Sequence, residues 1–290
     1  MSRLRFVSIL ICFVLLGVGP TIAQDDWNTP HEPLRIFGNT YYVGTAGLSS
    51  ILITSSEGHI LIDSALAQSA PLIEANIRKL GFEPRDVRLL VNSHEHFDHA
   101  GGLGPLQRAT GARVAASPPA ARALQQGHPL PEDPQYTSAL KSPYDPIKNV
   151  ETIADRATLR VGPLAITAHF TPGHTPGATS WTWRSCEGSR CLDLAYLDSL
   201  TPVSDDGFKY TSGTARPSKA DVFRASIDSV EQLPCDIVVA PHPGLTGFTA
   251  KAARLKSGAG ENPFIEANAC RAYAAAARRK LDQRIAEERK

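Results

Sequence analysis

Residues 91–102 read VNSHEHFDHAGG, which places His94, His96, Asp98 and His99 within six residues and two glycines directly after them. A chain buries so many ionisable groups together only where an ion or a hydrogen-bond partner satisfies each one. The mostly apolar stretch 87–91 reads as a strand, and a helix is expected over 101–110. His94 and His96 are separated by one residue, so on an extended segment they point the same way. Asp98 and His99 follow where the chain turns. All four side chains then reach one pocket at the end of a sheet. Imidazole and carboxylate together suit zinc or another borderline divalent cation. Four ligands on one turn crowd a single tetrahedral ion, which points to two ions sharing the site.

Further ligands must come from elsewhere. His174 sits on the Gly- and Pro-rich turn of HFTPGHTPGATSW, and His242 just past the apolar strand of CDIVVAPHPG. Both are loop histidines at strand ends, where sites tend to form. His31, His59, His128 and His169 read instead as surface or hydrogen-bonded structural histidines.

The rest of the chain alternates between the two periods. Strands are expected at 41–43, 50–54 and 59–63, the last two joined at Glu57-Gly58, and a further short strand opens at Val114. A helix over 71–80 stops at Gly81. In the second half, strands are expected at 164–170, 180–184, 192–197 and 236–240, with helices at 220–233 and 263–288. Two β-then-α halves predict an α/β fold of two sheets packed face to face with helices outside. Between the halves, 127–149 holds five prolines and no periodicity, and a loop this long in a compact domain is usually functional or disordered. With the segment 25–33, it is expected to wall the site.

At the N-terminus, Arg3 and Arg5 precede a mostly apolar run of thirteen residues, 6–18, and Thr21-Ile22-Ala23 ends in a small residue. The apolar run is too short to span a bilayer and reads as a secretory signal peptide, 1–23, cleaved after Ala23. Export without a membrane anchor follows, leaving a single domain at 24–290. The 30 basic and 29 acidic residues nearly cancel and exclude nucleic acid as an expected partner. Cys12 leaves with the signal, and Cys186, Cys191, Cys235 and Cys270 remain. An even count in an exported protein suggests two disulfides, with three pairings open. Cys186 and Cys191 read as the closed tip of a hairpin with Gly188 in the turn, in which case Cys235 pairs with Cys270. Neither spacing suits a closed zinc site.

His-Glu-His-Phe-Asp-His, then Thr-Pro-Gly-His, then Pro-His-Pro in this order resembles the metallo-β-lactamase superfamily over nearly all of 24–290. The resemblance implies an αββα sandwich, two facing mixed sheets with the metals at one edge. It implies that His94, His96 and His174 bind a first Zn2+ and Asp98, His99 and His242 a second. Ser199, in YLDSLTPVSDDGFKY, stands where some β-lactamases carry a metal-binding cysteine. That serine, with GNTYYVGTAGLSS, WTWRSCEG, LPCD and the Cys270 helix, resembles the third subclass of these enzymes. By that similarity, Ser199 and Thr201 face the substrate carboxylate, although members often carry serine at the position of Thr201.

The implied reaction is periplasmic hydrolysis of the β-lactam amide, conferring antibiotic resistance, by a protein expected to be a monomer. Zinc lowers the pKa of bound water to about 7, which provides hydroxide at neutral pH, and Asp98 orients it. No Ser-x-x-Lys at a helix start argues for an acyl-enzyme, since Ser218-Lys219 has the wrong spacing. Two other readings compete. Glyoxalase-II-like thioesterases and lactonases of the same fold use a bridging Asp, to which Asp198 aligns. A metal-loaded binding or structural protein without turnover is the third.

Overall fold

Strict alternation along the strands gives each sheet two apolar faces. The computed structural model describes residues 27–258 and 260–290, so the signal segment 1–23 lies outside the described residues. The first sheet runs β1 (Leu34–Phe37), β2 (Thr40–Tyr42), β3 (Ile51–Ile53), β4 (His59–Ile62), β5 (Val87–Val91), β6 (Arg113–Ala116) and β7 (Val150–Thr152), neighbours in that order. It is antiparallel as far as β4 and parallel beyond. The second contains β8 (Thr158–Val161), β9 (Leu164–Phe170), β10 (Thr179–Glu187), β11 (Arg190–Tyr196) and β12 (Ile237–Val239), with β12 parallel to β11 and the other pairs antiparallel. The helices are α1 (Ala70–Lys79), α2 (Phe97–Ala100), α3 (Leu103–Thr110), α4 (Pro118–Gln126), α5 (Tyr136–Ala139), α6 (Lys219–Glu231), α7 (Phe248–Ser257) and α8 (Ala269–Glu288).

Ile60, Ile62, Leu89 and Val91 face Trp181, Trp183, Leu194, Tyr196 and Val239 across the space between the sheets. Their neighbours Leu61 and Leu90 turn the other way, onto Ile73, Ile77, Leu103 and Leu124 of α1, α3 and α4. Ala195 and Val238 of the second sheet likewise meet Phe223, Ile227, Ala274 and Leu281 of α6 and α8. The layers are therefore helix, sheet, sheet, helix, the expected αββα sandwich.

Several elements depart from the periodicity. The helix expected over 263–288 begins only at Ala269. The preceding residues are taken by tertiary contacts: Ile265 bridges Ile237, Glu266 donates its N–H to Asp236 O (2.9 Å), and the Phe264 ring packs 5.3 Å from Phe248. The helix expected over 101–110 forms as α3 from Leu103, and Gly101-Gly102 separate it from the one-turn α2 at 97–100, where no helix was expected. A Cβ on Gly102 would lie 2.2 Å from Ser64 O, so the glycines let this turn lie against the end of β4. Helices α4 and α7 and strands β1, β7 and β8 also fall outside the expected elements, and 127–149 contains only the one-turn α5.

Both disulfides form as expected. Cys186 and Cys191 face each other across the β10–β11 ladder, with Gly188 at φ +57° in the two-residue turn. Cys235, just before β12, joins Cys270 at the start of α8, with Cα atoms 6.1 Å apart.

Candidate active site

The ends of β4, β5, β11 and β12 and the β9–β10 turn converge on one edge of the sandwich. Cross-sheet bonds hold that edge together, Thr179 N–H donating to Ser93 O (2.7 Å) and Trp181 Nε1 to Asn92 O (3.0 Å), and within the second sheet Leu197 N–H donates to Val239 O (2.9 Å). The residue pattern of 91–102 is thus a strand end followed by helix α2, which carries Asp98 and His99. His94 and His96 precede it on the bend between β5 and α2.

His94, His96 and His174 form a ring of three imidazoles with centroids 4.7–5.1 Å apart. One nitrogen of each lies within 4.8 Å of the others, as do ligand atoms of His94, Asp98 and His99. The third ligand of the other group, His242, also arrives. Asp98 Oδ2 lies 3.1 Å from His99 Nε2 and 3.5 Å from His242 Nε2, and the two nitrogens are 3.2 Å apart. The structure brings all six sequence-predicted ligands together. His31, His59, His128 and His169 are elsewhere: His31 edges onto Tyr42, His59 onto Phe82, His128 Nδ1 lies 2.9 Å from Pro129 O, and His169 bonds Thr182.

A divalent cation fits this arrangement. His94 Nε2 is fully buried without a hydrogen-bond partner, which is costly unless something occupies it. The opposite nitrogens are held: His94 Nδ1 by Asp198 Oδ1 (2.8 Å), His174 Nδ1 by Thr201 O (2.9 Å) and His96 Nε2 by Asp133 Oδ2 (3.0 Å). Outer partners of this kind fix the ring and its tautomer at metal sites. His99 Nδ1 is 3.4 Å from Asp63 Oδ2, whose carboxylate also takes Ser93 N–H (2.5 Å) and Tyr196 O–H (2.7 Å).

The charges divide in step with the contacts. Burial and the neighbouring histidines, His96 first, push His174 down to about 3. Burial and His99 push His242 to about 4. Burial acts the same way on His99, but the Asp98 and Asp63 carboxylates outweigh it and raise it to about 10. Burial favours protonated Asp98, yet His99 and His242 hold it well below the ordinary carboxylate range. Asp98 is therefore held as an anion.

Glu95 has a role the motif did not reveal. It is fully buried and points away from the ligands, accepting from Thr175 Oγ1 (2.8 Å) and Gly177 N–H (3.0 Å). It therefore staples the turn bearing His94 and His96 to the turn bearing His174. Gly177 must approach closely for this: a Cβ there would lie 2.5 Å from Ala120 N and 2.7 Å from Glu95 Oε2. Gly177→Ala is expected to destabilise the fold by about 1–3 kcal/mol through overpacking. Denaturant unfolding measures this, and an unchanged midpoint would show that the two turns are not clamped as described.

The histidines open into a cavity of about 920 Å3, walled by Trp27, Gln135, Lys141, Ser199, Thr201 and Lys280 among others. The expected wall segments 25–33, as far as described, and 127–149 both contribute. Helix α8 also contributes through Lys280, Gln283 and Arg284, which nothing in the sequence pattern marked. Ser199 Oγ is buried without a partner. Thr201 is more committed, its carbonyl holding His174 and its hydroxyl 3.3 Å from the same nitrogen.

A two-sheet sandwich with this cluster on its edge is the architecture of a metal-dependent hydrolase. The sequence model of the metallo-beta-lactamase superfamily matches residues 44–242, and the chain belongs to that family. Solved structures agree over nearly the whole chain. Rm3 metallo-beta-lactamase is 46% identical, with a TM-score of 0.88 over 94% of this chain and all of that one. MEM-A1, a subclass B3 metallo-beta-lactamase from a soil metagenome library, is 44% identical, with a TM-score of 0.86 over 91% of this chain and 98% of that one. BJP-1, a subclass B3 enzyme of Bradyrhizobium japonicum, is 31% identical, with a TM-score of 0.81 over 92% and 98%. The match to curated relatives is shorter. An N-acyl homoserine lactonase of Bacillus thuringiensis is 32% identical over 76 residues, 18% of this chain and 30% of the lactonase. A hydroxyacylglutathione hydrolase of Anaeromyxobacter dehalogenans is 33% identical over 96 residues, 33% and 29% of the two chains. The chain thus spans about a third of the length of these relatives.

Proposed function

We propose that the protein is a zinc β-lactamase of the third subclass, opening the β-lactam amide by direct attack of water. The observation that carries this reading is the shared cavity, lined by His96, Asp98, His174 and His242 of the ligand cluster and by Ser199, whose hydroxyl has no partner. His94, His96 and His174 would hold one Zn2+, and Asp98, His99 and His242 a second. Zinc held there supplies Lewis acidity and a nucleophile from water near neutral pH. Asp98, the lone carboxylate between the two sets, orients the attacking water. Ser199 Oγ donates to the substrate carboxylate, and Thr201 assists with the hydroxyl it shares with His174.

Lactonases and thioesterases of the same fold remain the second reading, through Asp198. Its carboxylate is engaged at His94 Nδ1, on the far side of the ring from the open Nε2. That placement supports an orienting role rather than a bridge between ions. The full account also includes removal of 1–23, a single domain at 24–290, periplasmic residence, a monomeric state and resistance conferred on the host. No helix among the described residues is long and apolar enough to cross a membrane.

Nitrocefin hydrolysis by the purified protein tests the reading. Chelation is expected to abolish it and added Zn2+ to restore it. Ser199→Ala removes one hydrogen bond to a charged carboxylate, worth about 1.5–3 kcal/mol, and is expected to lower kcat/KM roughly tenfold to hundredfold. Turnover of an acyl homoserine lactone or an S-acyl glutathione with none of nitrocefin would overturn the assignment.

A further inference from the structure

The second ring nitrogens of the three grouped histidines are all held by loops that wall the cavity. Asp198 and Thr201 belong to the loop after β11, and Asp133 to the proline-rich segment 127–149. Asp133 is only 2% exposed. Its remaining oxygen accepts Gln135 N–H (2.7 Å) and its own N–H donates to Leu130 O (2.9 Å), so the carboxylate is part of the local backbone fold. Asp205 joins the two loops, its carboxylate taking the N–H groups of Thr137 (2.6 Å) and Ser138 (3.1 Å) and its own N–H donating to Pro134 O (2.9 Å). Apolar anchoring is sparse in between: Leu130, Tyr144 and Ile147 are buried near the ends, whereas most of 131–142 is exposed or half-buried.

We infer that Asp133 is a positioning residue for His96 and the link that couples metal occupancy to the order of the 127–149 wall. This rests on the metal site proposed above. An acceptor at Nε2 fixes the proton there and leaves the Nδ1 lone pair for a cation. Coupling of this kind is reciprocal. A wall conformation that delivers Asp133 and strengthens metal binding is itself strengthened by the metal, by the same factor. Because Gln135, Ser138 and Lys141 of this segment line the cavity, the metal state then sets the shape of the substrate site.

The test uses the whole protein and Zn2+ alone, without substrate. Chelator competition is expected to show a Zn2+ dissociation constant raised about 10–100-fold in one binding step for Asp133→Ala. Asp133→Asn keeps an acceptor oxygen and should recover most of the affinity. Amide hydrogen exchange across 128–142 in the wild type is expected to slow when Zn2+ is added, and in Asp133→Ala that response should disappear. An Asp133→Ala protein that binds Zn2+ as the wild type does would overturn the inference. So would wild-type exchange in 128–142 that Zn2+ leaves unchanged, a comparison that needs no variant and decides the matter if Asp133→Ala fails to fold. A wild type that binds no Zn2+ would sink the functional reading as well, so the two failures are distinguishable.

Discussion

Asp98→Asn is expected to lower kcat/KM for β-lactam hydrolysis by about 10²–10⁴-fold, the range associated with a positioned acid–base group. Asparagine preserves the shape of the side chain but removes its charge. Asp98 Oδ2 faces two imidazole nitrogens, His99 Nε2 at 3.1 Å and His242 Nε2 at 3.5 Å, and is 6% exposed. Loss of the charge there weakens both the hold on a cation and the orientation of the attacking water. Steady-state kinetics with metal content measured on the same samples separates these effects. The mechanism would be wrong if Asp98→Asn were nearly intact while Ser199→Ala lost all activity with its metal retained.

Removal of the Cys235–Cys270 bridge is expected to cost about 2–4 kcal/mol. Its cysteines are 35 residues apart, against five for Cys186 and Cys191, and loop-closure entropy grows with that separation. Removing the shorter bridge should matter less, since the β10–β11 ladder already holds the hairpin. The longer bridge also anchors α8 at the site. Tyr273 O–H donates to Asp198 O (2.8 Å), and Arg284 reaches Ser204 Oγ (2.8 Å) and Phe208 O (3.0 Å), tying the helix to the loop that carries Ser199 and Thr201. Denaturant unfolding of a Cys235→Ser, Cys270→Ser variant and a Cys186→Ser, Cys191→Ser variant, each read without reductant against the oxidised wild type, measures the difference. Free thiols at all four positions in non-reducing peptide mapping would refute both bridges.

Much of this site was legible because its ligands announce themselves locally. Three histidines and an aspartate on one turn have few structural uses, and two further histidines at strand ends supply what that turn lacks. Asp63, Glu95 and Asp133 carry no such signal. An aspartate closing a strand, a glutamate inside a motif and an aspartate among prolines are ordinary in sequence. Each acquires its role from partners far along the chain: Tyr196 for Asp63, Gly177 for Glu95 and His96 for Asp133.

The same division runs through the fold. Short apolar stretches at 59–63 and 192–197 were enough to mark strands, and each strand then presents side chains to two faces because their direction depends only on its own backbone. The residue types of 94–99 likewise determined a metal chemistry, since ligand preference belongs to the side chain. Where α8 begins, where α2 breaks from α3 and which loops enclose the cavity were decided by tertiary contact. Ile265 leaves a helical pattern because Ile237 offers it a strand partner, and position 102 admits only glycine because Ser64 O would lie 2.2 Å from a Cβ there. Such outcomes depend on which surfaces meet, and that depends on the whole packed chain rather than on any local stretch of it.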